Sequence, residues 1–309
     1  MALFSWRRKV ILLKIESAYG TDPTPVFGTD GILAMNLSIS LEADKLEREI
    51  DRSFFAANPF VLVGRRCMVE FDFEPMGHAT PGTAAPCGPL LRACAHAQVL
   101  VPATSATYNP ITATPESATL YYWMGNQRFA ITGCRGTIDF DHSIKQFPKA
   151  HAKLTGLFAI PTNTAIVTPT LTAWQDPPAI ETETWELSVD GSAVNAVSFT
   201  LSQNNETPIH EGSEAREVVL TDRKAGGVLR VYDPGVSVFD FWTLAKDHTK
   251  VPIVSTVTGG AGLIQEITVG LAQFELPKFV EIDGVVGLEI PYVALASSAG
   301  SDEYTLALT

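Results

Sequence analysis

Thr119-Leu-Tyr-Tyr-Trp-Met-Gly-Asn-Gln-Arg-Phe-Ala-Ile-Thr132, running on through Gly133-Cys-Arg-Gly136 to Thr137-Ile-Asp-Phe-Asp141, is the stretch that decides the fold class. Gly125-Asn126 tolerates the positive φ angles of a tight turn, and strand-forming residues flank it on both sides. Residues 119–132 therefore read as a β-hairpin. Residues 137–141 alternate, with Ile138 and Phe140 facing a core and Asp139 and Asp141 facing water.

The same grammar extends outward in both directions. Val10-Ile-Leu-Leu-Lys-Ile15 and Leu33-Ala-Met-Asn-Leu-Ser-Ile-Ser-Leu41 read as strands. Cys67-Met-Val-Glu-Phe-Asp-Phe73 places Cys67, Val69, Phe71 and Phe73 on one face and Met68, Glu70 and Asp72 on the other. A strand over 152–160 follows. The later half continues with strands over 184–189, 194–202, 217–221, 228–232, 263–269 and 271–276, with a turn at Asp190-Gly191. Only residues 88–97, with Pro89 suited to a first turn, and residues 236–247 look helical. The class is mainly β, with one short helix in each half.

The chain has 309 residues, about twice a usual single-domain length, and the order of elements repeats. Residues 119–141 lie on 253–275 without a gap, so that Gly125 meets Gly259, Phe129 meets Leu263 and Gly136 meets Gly270. Pro148-Lys149 and Ile160-Pro161 match Pro277-Lys278 and Ile290-Pro291. Leu37-Ser-Ile-Ser-Leu41 matches Val197-Ser-Phe-Thr-Leu201, and Phe73-Glu-Pro75 matches Tyr232-Asp-Pro234. Two tandem β-sandwich modules are expected, over 1–161 and 181–309. Residues 162–180, rich in Thr and Pro, read as the linker.

The net charge is −12, and 20 of the 34 acidic side chains lie in residues 161–309 against only 7 basic ones. No basic block is present, which argues against gripping nucleic acid. The uncharged stretch 154–175 is broken by Pro161 and Pro169, so no membrane span is expected. The apolar run after Arg7, Arg8 and Lys9 is too short for a secretory leader. Cys67, Cys87, Cys94 and Cys134 all fall in the first half and read as reduced thiols.

Catalytic motifs are missing: there is no phosphate loop, dinucleotide fingerprint or nucleophile elbow. Gly259-Gly-Ala-Gly262 reads as a turn. Cys87, Cys94, His96 and His78 have no familiar zinc spacing. Asp139, Asp141 and His142 sit at strand spacing, as a wet face requires. No enzyme, metal or cofactor is expected. Instead, Glu70, Asp72, Asp139, Asp141, Glu266 and Glu275 suggest a sheet face lined with carboxylates, either an outer surface or a channel wall from which DNA would be repelled. Given the charge asymmetry, the second half should supply at least as much of this lining as the first.

Two long polar insertions share one slot in the repeat. The first, 42–59, contains Glu42, Asp44, Lys45, Glu47, Arg48, Asp51 and Arg52, and ends in Phe54-Phe55. The second, 203–216, contains Glu206, His210, Glu211, Glu214 and Arg216. Loops of this length in a compact β domain are usually functional, and mixed charge with an apolar anchor suits a protein contact; a solvated loop folded back on its own module is the plainer alternative.

Leu13-Lys-Ile-Glu-Ser-Ala-Tyr-Gly-Thr-Asp-Pro-Thr-Pro25, Gly31-Ile-Leu33, Leu37-Ser-Ile-Ser40 and Gly88-Pro-Leu-Leu-Arg-Ala-Cys94 resemble tail tube (major tail) proteins of long-tailed, non-contractile bacteriophages. Tyr121-Tyr122, Gly133-Cys-Arg-Gly136 and Leu154-Thr-Gly-Leu157 are similar too. The resemblance covers most of residues 10–161. It implies a β-sandwich with one flanking helix, ring oligomers whose sheets join around an acidic lumen, and a long loop that reaches the next ring. A duplicated subunit would form a trimer with pseudo-sixfold symmetry, or else a hexamer. The 42–59 insertion would be the stacking loop and 203–216 its copy, with the Trp6-Arg7-Arg8 arm and the segment after Ser297 as further ring contacts. The implied partners are other copies of the chain and tape-measure, tail terminator and distal tail proteins, with DNA passing through unbound and no membrane involved. Assembly would occur in the bacterial host cytoplasm and the product would be part of the virion tail. Alternatives are a capsid decoration or baseplate protein, or a carbohydrate-binding sandwich, against which Tyr121, Tyr122 and Trp123 count because adjacent strand residues cannot all share one face.

Overall fold

Alternating apolar and polar residues with frequent Gly and Pro punctuation give strands nearly everywhere in the chain. The computed structural model describes residues 5–309, which include the expected Trp6-Arg7-Arg8 arm. The first half forms β1 (Lys9–Ile15), β2 (Met35–Glu47), β3 (Phe60–Phe73), α1 (Gly88–Ala93), β4 (His96–Val101), β5 (Ser105–Pro110), β6 (Ala118–Met124), β7 (Gln127–Ser143), β8 (Lys149–Leu157) and β9 (Thr162–Asn163). The second half forms β10 (Trp185–Val189), β11 (Ser192–Ala193), β12 (Ala196–Ser202), β13 (Asn205–Glu206), β14 (Ile209–Glu211), β15 (Arg216–Val218), β16 (Asp222–Arg223) and β17 (Gly226–Tyr232). It ends with α2 (Phe241–Lys246), β18 (Lys250–Val257), β19 (Gln265–Phe274), β20 (Lys278–Ile282), β21 (Val285–Ala294) and β22 (Thr305–Leu308). The fold is mainly β and sandwich-like, as expected.

One pairing pattern occurs in both halves, always antiparallel. β1 pairs with β6 and β6 with the start of β7, as β10 pairs with β18 and β18 with β19. β2 pairs with β3, β3 with β8, and β8 with the rest of β7. Correspondingly, β12 pairs with β17, β17 with β21, and β21 with the end of β19 and with β20. β7 thus serves two sheets, and β19 with β20 does the same. Each bends at a bulge, where the register shifts between Ala118 and Leu120 opposite β7 and between Val251 and Ile253 opposite β19. In β7 the bulge falls at Gly133, which has a φ of +65°. A Cβ there would meet the Tyr19 ring at 2.7 Å.

The gap-free match of 119–141 with 253–275 is corrected. Gly125-Asn126 forms a two-residue turn between β6 and β7, but residues 258–264 connect β18 to β19, so β19 starts later than a gap-free match requires. Residues 148–161 hold the single strand β8, whereas 277–291 contain a hairpin that turns through Asp283-Gly284. Both helices are also shorter than the apolar spacing suggests. Ala95 turns left-handed at φ +59° and stops α1, releasing His96 into β4. Asp240 caps α2 by accepting from Thr243 N–H at 3.0 Å, which fixes its start.

The halves share one continuous hydrophobic core, in which Phe71, Phe140 and Tyr122 join Phe199, Ile253 and Ile290. β22 pairs with β19 on one side and β5 on the other, tying the end of the chain to the first half. Much of the segment after Ser297, expected to make ring contacts, is built into the sandwich, with Tyr304 buried and its hydroxyl 2.7 Å from His96 Nε2. Residues between β9 and β10 lie along the first half. Thr170 N–H donates to Phe27 O at 2.8 Å, and Trp174 Nε1–H to Gly31 O at 3.1 Å.

Candidate functional site

The two matching four-stranded layers are joined at one edge. β7 pairs with β12 in a continuous antiparallel register that places Asp139 opposite Ser202, Phe140 opposite Leu201 and Asp141 opposite Thr200. The result is an eight-stranded sheet in the order β2-β3-β8-β7-β12-β17-β21-β20. Its inner face buries Val69, Phe71, Ala152, Phe140, Phe199, Leu229 and Ile290. Its outer face is mainly polar over β2, β3, β8, β7 and β12 and mixed over β17, β21 and β20, where Val228, Val280, Ile282, Val285 and Val293 share it with Arg230, Lys278 and Glu289. β2 and β20 close the two ends, and among the described residues neither has a strand on its outer side.

Glu70 and Asp72 on β3 and Asp139 and Asp141 on β7 share the polar face, half-buried at alternate positions. Glu275, exposed just beyond β19, lies at the far end of the same face, where its N–H donates to Pro291 O at 2.8 Å. Glu266 lies on the first part of β19, which belongs to the other sheet, opposite Thr256 and Ala307. The face is also not purely acidic. Lys149, His151 and Lys153 alternate along β8 between the two acidic strands. His151 Nδ1 is 2.7 Å from Asp72 Oδ1, and Lys153 Nζ is 3.3 Å from Glu70 Oε1. Partial burial alone would raise the Asp72 pKa, but hydrogen bonds from Asn36 and His151 outweigh it and hold the carboxyl below its usual range. Burial pushes Asp139 up, opposed by a hydrogen bond from Ser202.

The strands from the second half add few acids to this face. Ser198, Thr200 and Ser202 stand on β12, and Arg230 of β17 pairs with Glu289 of β21 at 2.8 Å. The acidic excess of the second half is therefore mostly elsewhere than on this face. The signal that could have found the basic partners is Lys149-Ala-His-Ala-Lys153, whose period of two is that of a half-buried strand.

The two insertions, alike in sequence position, fold differently. In the first, β2 and β3 remain paired as far as Glu47 and Phe60, so much of the expected loop is a two-stranded ribbon with its tip at 48–59. Arg66 pairs with Glu42 at 2.7 Å and lies 3.9 Å from Asp44. Lys45 pairs with Glu47 and sits over the Phe60 ring, while Arg52 sits over Phe54. Arg48 N–H donates to Pro59 O at 3.0 Å, and Asp51 lies in the exposed tip. Leu46, Phe54, Phe55, Val61 and Leu62 are all exposed, with Phe55 fully so.

The second insertion is held against the first half. Gln203 Nε2 donates to Cys94 O at 2.8 Å, and Asn205 Nδ2 to Gly136 O at 2.9 Å. Tyr19 Oη accepts from Val218 N–H at 2.6 Å, and Arg135 reaches Glu217 at 2.8 Å. Glu206 and Lys224 are 4.0 Å apart, and Arg216 is 3.7 Å from Glu211. His210 and Glu214 are exposed near the tip. A cleft of about 1010 Å³ separates Glu42, Asp44 and Arg66 of the first ribbon from Glu206, Glu211 and Lys224 of the second.

Sequence reasoning missed the joint beneath this ribbon. Glu16 is buried, and its carboxylate accepts from Gly20 N–H, Ser117 Oγ–H, Thr119 Oγ1–H and Gly133 N–H at 2.6–2.8 Å. This explains why Glu16-Ser-Ala-Tyr-Gly-Thr21 has its composition: Glu16 collects donors from three segments, and Gly20 supplies a φ of +72°.

Other sequence candidates have structural surroundings. Among the described residues no group of three or more His, Cys, Asp or Glu is placed to hold a metal ion. The four cysteines are buried and unlinked. His96 lies in the core, where burial pulls it down to about 4. Tyr121, Tyr122 and Trp123 are buried, with Ile166 and Val167 packed against Tyr121 and Trp123. No described helix is long and apolar enough to cross a membrane.

No curated protein matches the chain. A family model described as phage tail tube protein matches residues 6–298, which include both insertions and both open edges. With nearly the whole sequence matched, the chain belongs to the phage tail tube protein family and is a structural component of the phage tail.

Proposed function

We propose that the chain polymerises as stacked rings into a tube through which DNA passes during ejection, and that each ring contains three copies. The observation that carries this reading is the β7–β12 pairing. It joins two similarly paired four-stranded layers edge to edge and leaves β2 and β20 open at the ends. Open edges favour further pairing, and a closed barrel removes them. The repeated pairing pattern favours two tandem modules and pseudo-sixfold symmetry. With strands spaced about 4.8 Å apart and tilted about 40°, three eight-stranded sheets give a backbone ring roughly 45–50 Å across, which admits a double helix.

In this arrangement the polar face lines the channel. Its carboxylates are interleaved with Lys149, His151, Lys153 and Arg230, and the pairing of His151 with Asp72, Lys153 with Glu70 and Arg230 with Glu289 limits the positive charge free to hold phosphates. The exposed 48–59 ribbon tip reaches the adjacent ring, and the 203–216 ribbon flanks its base. Tape-measure, terminator and distal tail proteins are the remaining partners, and assembly takes place in the host cytoplasm. Electron microscopy of the purified protein tests the reading. Stacked rings with an axial hole and threefold averaging support it, whereas lone globules at concentrations that favour assembly overturn it.

A further inference from the structure

The internal joint also specifies how one copy meets the next. Glu70 of β3 and Arg230 of β17 occupy matching places, because Ser38 is opposite Glu70 and Ser198 is opposite Arg230. Ser40 therefore stands where Thr200 stands, and Glu42 where Ser202 stands. On their other sides, Glu70 is opposite Lys153 and Arg230 is opposite Glu289, which matches Lys149 with Val285. Asp141 is opposite Lys149 and Ile282 is opposite Val285. Ile282 thus takes the place of Asp141, and β20 the place of the end of β7.

We propose that β20 of one copy pairs antiparallel with β2 of the next copy, with Ile282 opposite Ser40 and Val280 opposite Glu42. The proposal rests on the ring reading above and adds the register. Each edge bears an apolar side chain on its core-side face that lacks cover in the single chain. Leu41 of β2 is 48% exposed and Phe279 of β20 is 66% exposed. In the proposed register they become diagonal neighbours on one face, a spacing within reach of an aromatic ring. Their counterparts at the internal joint, Leu201 and Ile138, are fully buried. The second copy is the occupant because β12, which has the same place in its layer as β2, is already paired in this way within the chain.

The hydrogen-bonding phase follows from the same joint. Gln203 N–H donates to Ile138 O and Ile144 N–H to Val197 O, each at 3.0 Å. Asp141 and Thr200 are therefore a non-hydrogen-bonded pair, and Ile282 and Ser40 inherit that phase. Such pairs bring Cα atoms to roughly 4.5 Å, which lies within disulfide range.

The test is mild oxidation of the double variant Ser40→Cys/Ile282→Cys, followed by a non-reducing gel, with electron microscopy of the unoxidised sample. Covalent three-copy rings are expected, at least tenfold above either single-cysteine variant, and Glu42→Cys/Val280→Cys should give the same product. Leu41→Cys/Ile282→Cys, one residue out of register and on opposite faces, should stay unlinked. If rings form but only the out-of-register pair links, or neither in-register pair links, the register is overturned while the ring reading stands. If microscopy shows no rings for the variants or the unaltered chain, both readings fall.

Discussion

Asp141 of β7 lies directly opposite Thr200 of β12, so the first and second halves of the chain meet as neighbouring strands of one sheet. Around this pair, Phe140 and Leu201 meet on the buried face, and Phe199 stacks on Tyr292 with ring centroids 6.0 Å apart. The joint between the halves is therefore both hydrogen-bonded and packed.

Phe199→Ala should cost about 3–5 kcal/mol, because it empties a fully buried aromatic site at this joint. Urea denaturation of the unassembled chain checks the value. A loss below about 1 kcal/mol would show that the joint packs much less tightly than its geometry indicates.

Glu16→Ala should destabilise the chain by about 2–4 kcal/mol, since its carboxylate serves four donors in a mostly buried site. Glu16→Gln keeps the shape and part of the acceptor capacity, so it should cost less. Denaturation midpoints for the two variants give the comparison, and equal losses would contradict the hydrogen-bond account.

Stability should rise with pH between about 4 and 6.5. Burial holds His96 and His142 at about 4, below the ordinary histidine value of 6.5. The unfolded chain therefore binds more protons than the native chain in that window. The contribution is fully present above pH 6.5 and is lost as pH falls towards 4, at about 3 kcal/mol for each group. Denaturation across this range should show the slope, and His142→Asn should reduce it. An unchanged slope in that variant would remove His142 from the explanation.

Phe54→Ser/Phe55→Ser should change monomer stability by less than about 0.5 kcal/mol, because both rings are exposed. If the ribbon tip joins rings, the double variant should still close single rings but lose long tubes in electron micrographs. Tubes of normal length would transfer the stacking role to another segment.

The strand content and the two short helices are readable from local pattern, because side-chain period and turn residues are properties of neighbouring positions. Glu70, Asp72, Asp139 and Asp141 were placed on a wet face for the same reason. The period of two in Lys149-Ala-His-Ala-Lys153 gives their basic neighbours a common face, but which acids they meet depends on cross-strand register, which is set by non-local pairing. Glu16-Ser-Ala-Tyr-Gly-Thr21 stood out as a motif, but its donors come from Ser117, Thr119 and Gly133, more than a hundred residues later.

Local side-chain pattern is enough to specify a mainly β chain with two short helices. The joining of the halves through β7 and β12, and the exposure of one insertion while the other lies against the first half, come from the folded chain. The physical reason is that strand formation is set by residues two apart, whereas the choice of edge partner and the docking of a ribbon depend on which buried surfaces and unpaired backbone groups meet in the folded chain.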